Sequence, residues 1–183
     1  GQADAAVRIL ELVRAQDPEN LEAVVQLSRA YSAAERSDDA LALLTSVTEA
    51  SKGKRTRGLG QVHQEIARLH LQDGFLSDAL TALTRAFELD PKNGTLAMRL
   101  GMQALEIDED ETAQRAFRGI AIMKAPEGSS TDGATTEMKA DANYYLAVLA
   151  KKAGDARKAK VLVSKALSEN PDHQAARALL LEL

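Results

Sequence analysis

Apolar residues recur along the chain at the spacing of one face of a helix, with polar residues filling the intervals. Residues 74–93, GFLSDALTALTRAFELDPKN, show the pattern most fully, and 1–20 and 154–173 repeat its grammar. In each, a glycine precedes a proline by seventeen residues: Gly1 and Pro18, Gly74 and Pro91, Gly154 and Pro171. An alanine stands five after the glycine (Ala6, Ala79, Ala159). An apolar residue follows four later (Leu10, Leu83, Val163), and a small or apolar one three further on (Val13, Ala86, Ala166). Recurrence of this kind marks an internal repeat, whose units cannot bury an apolar face alone and must stack. Asp17-Pro18, Asp90-Pro91 and Asn170-Pro171 predict a helix stop. An N-cap and a proline at the first position of the next helix are expected there.

Between these stretches the same periodicity predicts further helices. One runs from Leu21 through Val24, Leu27, Ser28 and Tyr31, and 39–50 follows with Ala40, Leu44 and Val47 inward. His63, Ile66, Ala67 and His70 mark another. Residues 94–106 and 110–123 form a pair with Leu100-Gly101, Ala113 and Phe117 at the contact; 140–152 pairs with 156–168, and 174–183 starts one more helix. Two stretches break the pattern. The basic SKGKRTRG at 51–58 carries Lys52, Lys54, Arg55 and Arg57, either a small anion-binding patch or a solvated loop. Without interleaved aromatic residues the loop is favoured. Residues 127–139, EGSSTDGATTEMK, have low complexity; their first part is expected to be a mobile loop and their last part to extend the next helix.

The spacings resemble the tetratricopeptide repeat, a 34-residue helix–turn–helix unit. The residues that carry the resemblance are Val24, Leu27-Ser28, Tyr31, Ala40 and Leu44; His63, Ile66-Ala67, His70, Ala79, Leu83, Ala86 and Pro91; Ala97, Leu100-Gly101, Ala113 and Phe117; and Asn143, Leu146-Ala147, Ala159, Val163 and Pro171. Pro18 and Pro91 lie 73 residues apart, two units with five over, and Pro91 and Pro171 lie 80 apart, two units with twelve over. The surpluses fall at the two irregular stretches. The implied layout is a half repeat at 1–20, repeats at 21–54, 60–93, 94–127 and 140–173, insertions at 55–59 and 128–139, and the start of a further helix at 174–183. The implied fold is all-α, a right-handed α-solenoid of antiparallel helix pairs with about ten helices. Val24, His63, Ala97 and Asn143 stand where the family has an aromatic residue, and Glu35 stands where it has glycine.

Composition narrows the functional classes. Hydrophobic residues make up 45% and aromatic ones 3%, which suits helices packed through small side chains and argues against disorder. The net charge of −4 argues against nucleic-acid binding, which relies on cationic excess. There is no cysteine, hence no disulfide framework or thiolate site. No apolar run is long enough to span a bilayer, so no membrane insertion is expected. The opening GQADAAVRIL looks like the middle of a repeat rather than a signal peptide. The chain is therefore expected to be a piece of a longer protein, with any targeting signal outside it and its compartment open, cytoplasmic by default.

Candidate chemistry is sparse. His63 and His70 stand seven residues apart on one helix, too far to share a metal ion, and both replace repeat aromatics, so packing is their expected role. The third histidine is His173. The acidic run 108–111 lacks the spaced ligands and glycine of a calcium loop. No phosphate loop, nucleophile elbow or metalloprotease motif occurs, so no enzyme activity, cofactor or metal is expected. By resemblance, the first helix of each pair lines a concave groove. Its inward residues would be Arg29, Gln64 and Arg68, a basic half, then Met98, Met102, Leu105, Tyr144, Val148 and Lys151, a mostly apolar half. Segment 127–139 or a further helix could instead cover that apolar patch. The clamp by which some family members hold acidic chaperone tails is not matched: Val25, Arg29, Glu65, Thr95 and Arg99 occupy its places. The expected function is a protein–protein interaction scaffold whose partner is a protein or peptide. Alternatives are a recruiting arm of a larger enzyme or of a secretion or assembly machine, and self-association through the array ends.

Overall fold

The computed structural model describes residues 1–128, 130 and 132–183. Among these it shows ten α-helices and no strand, in two compact units, Gly1–Asp90 and Pro91–Leu183. The predicted all-α class is what the structure shows.

The first unit holds α1 (Gln2–Gln16), α2 (Leu21–Ala33), α3 (Ser37–Ala50), α4 (Arg57–Gln72) and α5 (Leu76–Leu89). Each helix packs on the next, and α2 also meets α4. That skip contact places first helices side by side, as helix-pair stacking requires. The core consists of the periodic positions: Val24, Leu27, Ala40, Leu44, Ala67, Ala79, Leu83 and Ala86 are all buried.

The helix boundaries correct one expectation. Pro18, Pro91 and Pro171 lie in turns, not at first helical positions, and Asp17, Asp90 and Asn170 close helices rather than open them. The N-caps stand three residues downstream of those three. Asn20 Oδ1 accepts from the Ala23 amide at 3.0 Å and Asn93 Oδ1 from the Leu96 amide at 3.0 Å, while His173 Nδ1 accepts from the Ala176 amide at 3.2 Å. Proline's locked φ serves the linker here, and the residue directly before each helix satisfies an orphan amide.

The basic stretch at 51–58 is more than a solvated loop. Arg55 donates to the Glu88 carbonyl at 3.2 Å, on the last turn of α5, where cations favour the helix dipole. Arg57 pairs at 3.1 Å with Asp90, which is buried. Lys54 lies 3.7 Å from Glu19.

The second unit holds α6 (Gly94–Glu106), α7 (Asp110–Ile122), α8 (Thr136–Lys152), α9 (Ala156–Glu169) and α10 (Gln174–Leu181). Its packing centre is Phe117, fully buried. A Cβ on Gly101 would sit 2.6 Å from the Phe117 ring, so this glycine admits the aromatic ring, and the predicted Leu100-Gly101/Phe117 contact exists. Tyr145 stacks on Phe117 at 5.0 Å.

Part of the low-complexity segment is anchored. The Gly133 amide donates to the Lys92 carbonyl at 2.7 Å and the Ala134 amide to the Lys124 carbonyl at 2.9 Å, and Ala134 is buried. Gly94 and Gly133 face each other so closely that a side chain on Gly94 would collide with the Gly133 carbonyl. The expected mobile loop covers Ser129 and Thr131, which lie outside the described residues. Thr135 caps α8 by accepting from the Met138 amide, so the end of the segment does extend that helix. In the acidic run, Asp108 and Asp110 both receive Lys152, each at 2.9 Å.

Candidate functional site

In the first unit the α2–α4 packing brings Arg29 and Arg68 together, and the structure adds the residue between them. Glu65 is 2% exposed. A carboxylate so far from water needs charged partners, because desolvation otherwise forces it neutral or makes it costly. Its Oε2 accepts from Arg29 Nε at 3.2 Å, and its Oε1 accepts from Arg68 Nε at 2.7 Å. Arg68 is further held through Nη2 to Ser32 Oγ at 3.0 Å and Nη1 to Gln72 Oε1 at 2.7 Å. The trio carries one net positive charge. Gln64 is half-buried on the same helix.

Sequence reasoning missed Glu65 as a member of this face. It placed the residue only as a mismatch to the chaperone-tail clamp. A usable signal was present: Glu65 and Arg68 stand at i, i+3, a spacing at which side chains on a helix meet.

In the second unit the predicted apolar residues do not form one open patch. Met102 is 42% exposed, while Met98 and Leu105 are half-buried. Tyr144 and Val148 pack against a buried cluster of Ala147, Val163, Ala166, Ala176 and Leu179, drawn from α8, α9 and α10. The Tyr144 ring also lies 5.1 Å from Tyr145 and 5.1 Å from His173. Lys151 is tied to Glu182 at 2.6 Å. The C-terminal helix thus adjoins three residues expected to be presented to a partner.

The histidines divide in kind. Burial lowers the pKa of His63, and the nearby Arg85 charge lowers it further against a smaller opposing effect of Glu88. His70 meets Phe75 edge-on at 6.2 Å. His173, the cap of α10, has Nε2 3.1 Å from Asp141. Among the described residues no group of three or more His, Cys, Asp or Glu side chains is arranged to hold a metal ion. No helix is long and apolar enough to cross a membrane. An open cleft of about 710 Å³, bordered by Pro91, Ile122, Met123 and Lys124, had no signal in the periodicity because loop residues complete it beside the end of α7.

Antiparallel helix pairs with small-residue seams, a glycine receiving an aromatic ring from the partner helix, and side-by-side first helices define the tetratricopeptide-repeat class. The comparisons agree. Residues 1–58 match the family model described as tetratricopeptide repeat, and the chain shares the fold of solved tetratricopeptide-repeat structures. No curated protein matches the sequence. Among solved structures, MamA is similar with a TM-score of 0.60 and 19% identity, over 92% of this chain and 89% of that one. YrrB, a tetratricopeptide-repeat protein with an unusual peptide-binding site, is similar with a TM-score of 0.62 and 19% identity, over 100% and 84%. A tetratricopeptide repeat protein from Parabacteroides merdae gives 0.58 and 16%, over 98% and 65%. At these identities the likeness concerns fold.

Proposed function

We propose that this chain is a protein–protein interaction scaffold, not an enzyme, and that each unit by itself offers the exposed face of its first helices to a peptide or partner helix. Arg29 would contact acidic groups on the α2/α4 face, and Met98, Met102 and Leu105 would receive apolar side chains on α6. The observation that carries the proposal is Arg29: its side chain is 57% exposed beside a carboxylate that is 3% exposed. A methionine-bearing face suits a partner of varied side chains. The peptide-binding site of YrrB, on a like fold, supports the same use. Binding to such a preformed face depends on a few anchors, so single substitutions should be decisive. Affinity capture with the whole chain is compared with its Arg29→Glu and Met102→Ser variants. A partner lost by Arg29→Glu supports the proposal, and a partner set unchanged in both variants overturns it.

Self-association is a second reading, favoured by the exposed apolar residues of α1, where Ile9 is 62% and Leu12 is 66% exposed. Light scattering across a concentration series tests it, and a mass that stays monomeric removes it.

A further inference from the structure

Arg29 and Arg68 look equivalent in sequence, yet their nitrogens are spent differently. Arg68 uses all three: Nε and Nη2 toward Glu65, Nη2 also to Ser32, and Nη1 to Gln72. Arg29 makes one bond, from Nε to Glu65 Oε2. Among the described residues its two terminal nitrogens meet no protein acceptor, and the side chain is 57% exposed. A guanidinium offers two hydrogen-bonding edges, and the end formed by Nη1 and Nη2 matches the two oxygens of a carboxylate.

We propose that Arg29 is the ligand-contacting residue of a site for one carboxylate, and that Glu65 and Arg68 are positioning residues that hold its guanidinium end-outward. This rests on the reading of the α2/α4 face as a binding face and deepens it by naming the recognised group. The ligand is an acidic peptide side chain or chain terminus, taken bidentately. Two features fit a single carboxylate rather than a more highly charged group. The trio's net charge is one, and only one of its guanidinium ends is open. Glu65 does two things at once. It cancels the charge of Arg68, and it removes rotational freedom from Arg29 before a ligand arrives, which lowers the ordering cost of binding.

Charge and positioning make opposite forecasts for Glu65→Gln. The substitution raises the local charge by one, so a site working by electrostatic attraction alone binds anions more tightly. A site working by positioning binds them less tightly, since the amide is a weaker partner for Arg29. The probe is sodium acetate at constant ionic strength, followed through the arginine side-chain NMR signals of the whole chain, with inorganic phosphate as comparison.

The expected result is a saturable shift at Arg29, none at Arg68, and an acetate affinity weakened about ten-fold in Glu65→Gln, the scale of one charge-assisted hydrogen bond. Arg29→Lys, which keeps a cation beside Glu65, should lose affinity similarly because an ammonium cannot bind both oxygens in a fork. Tighter acetate binding by Glu65→Gln overturns the positioning role. An absent or unsaturable shift at Arg29 in the native chain overturns the site. If acetate binds as expected while Arg29→Glu retains every captured partner, the carboxylate site stands and the docking proposal falls. The reverse pattern separates the two in the other direction.

Discussion

On the α2/α4 face polar side chains hold one another and leave one guanidinium end open; on the α8/α10 side aromatic and aliphatic side chains are held by the core. Both sets were expected to be presented to a partner. The difference lies in what each can do with its unsatisfied capacity. Glu65 at 2% exposure must be paired, and pairing consumes Arg68 but only one bond of Arg29. Tyr144 and Val148 have no such arithmetic to satisfy, and apolar surface goes wherever a neighbour can cover it. With α10 beside them, the neighbour is Ala176 and Leu179. A face made of charges keeps a directed remnant for a ligand, whereas a face made of apolar groups is readily absorbed.

The largest effect should separate the two arginines. Arg68→Ala leaves Glu65 buried with a single cation and should cost about 3 kcal/mol, the range seen when one partner of a buried pair is removed. Arg29→Ala removes one bond on a mostly exposed side chain and should cost at most about 1 kcal/mol. Urea unfolding midpoints measure both. Equal costs would mean that the arginines share one role.

The next effect separates Tyr144 from Met102. Tyr144→Ser removes a half-buried ring from the α8–α10 cluster and should cost about 2 kcal/mol, below the value for a fully buried aromatic. Met102→Ser, at 42% exposure, should change stability by less than about 0.5 kcal/mol. A large loss in Met102→Ser would place that residue in the core and take it off the list of partner contacts.

How much of this the sequence disclosed depends on the range of the interaction. Helix order and core positions were legible because the period recurs, and each repeat checks the others. The Phe117–Gly101 contact was legible for the same reason. The caps were misplaced because Asp-Pro carries a cap signal on composition alone, while the φ and ψ that decide capping belong to Asn20 and Asn93. At the site, projection along the helices brought Arg29 and Arg68 to one face. It did not reveal which of them had nitrogens to spare, since that depends on Glu65, Ser32 and Gln72 together. Nor could projection foresee that α10 would pack on Tyr144.

A smaller effect concerns the tight turns after first helices. Glu35 and Asp108 have φ of 59° and 60°, where Gly74 and Gly154 have 78° and 79°. A side chain there costs energy through Cβ contact with the backbone. Glu35→Gly should therefore stabilise the protein by about 0.5 kcal/mol. Asp108→Gly should gain less, because Asp108 also holds Lys152 at 2.9 Å. Thermal midpoints of the two variants give the order, and a larger gain at Asp108 would mean that the Lys152 contact contributes nothing.

The smallest effect is a pH dependence confined to one side of α4. His63 shares that helix with the Glu65–Arg68 pair, and its pKa is displaced. Burial and the Arg85 charge hold it below the ordinary value of 6.5. The folded protein thus resists protonating His63, while the unfolded chain accepts the proton first. Stability is fully present above about pH 6.5 and is lost as pH falls through the folded value. Guanidinium charge does not change in this window, so the Arg29 site should keep its acetate affinity between pH 7.5 and 5.5 as the fold weakens. Subtracting the pH profile of His63→Phe from that of the native chain isolates this residue from the other histidines. A flat difference between pH 7.5 and 5.5 would show that the imidazole is hydrated in the folded protein. An acetate affinity that followed the stability curve would tie the binding face to the His63 side of the helix.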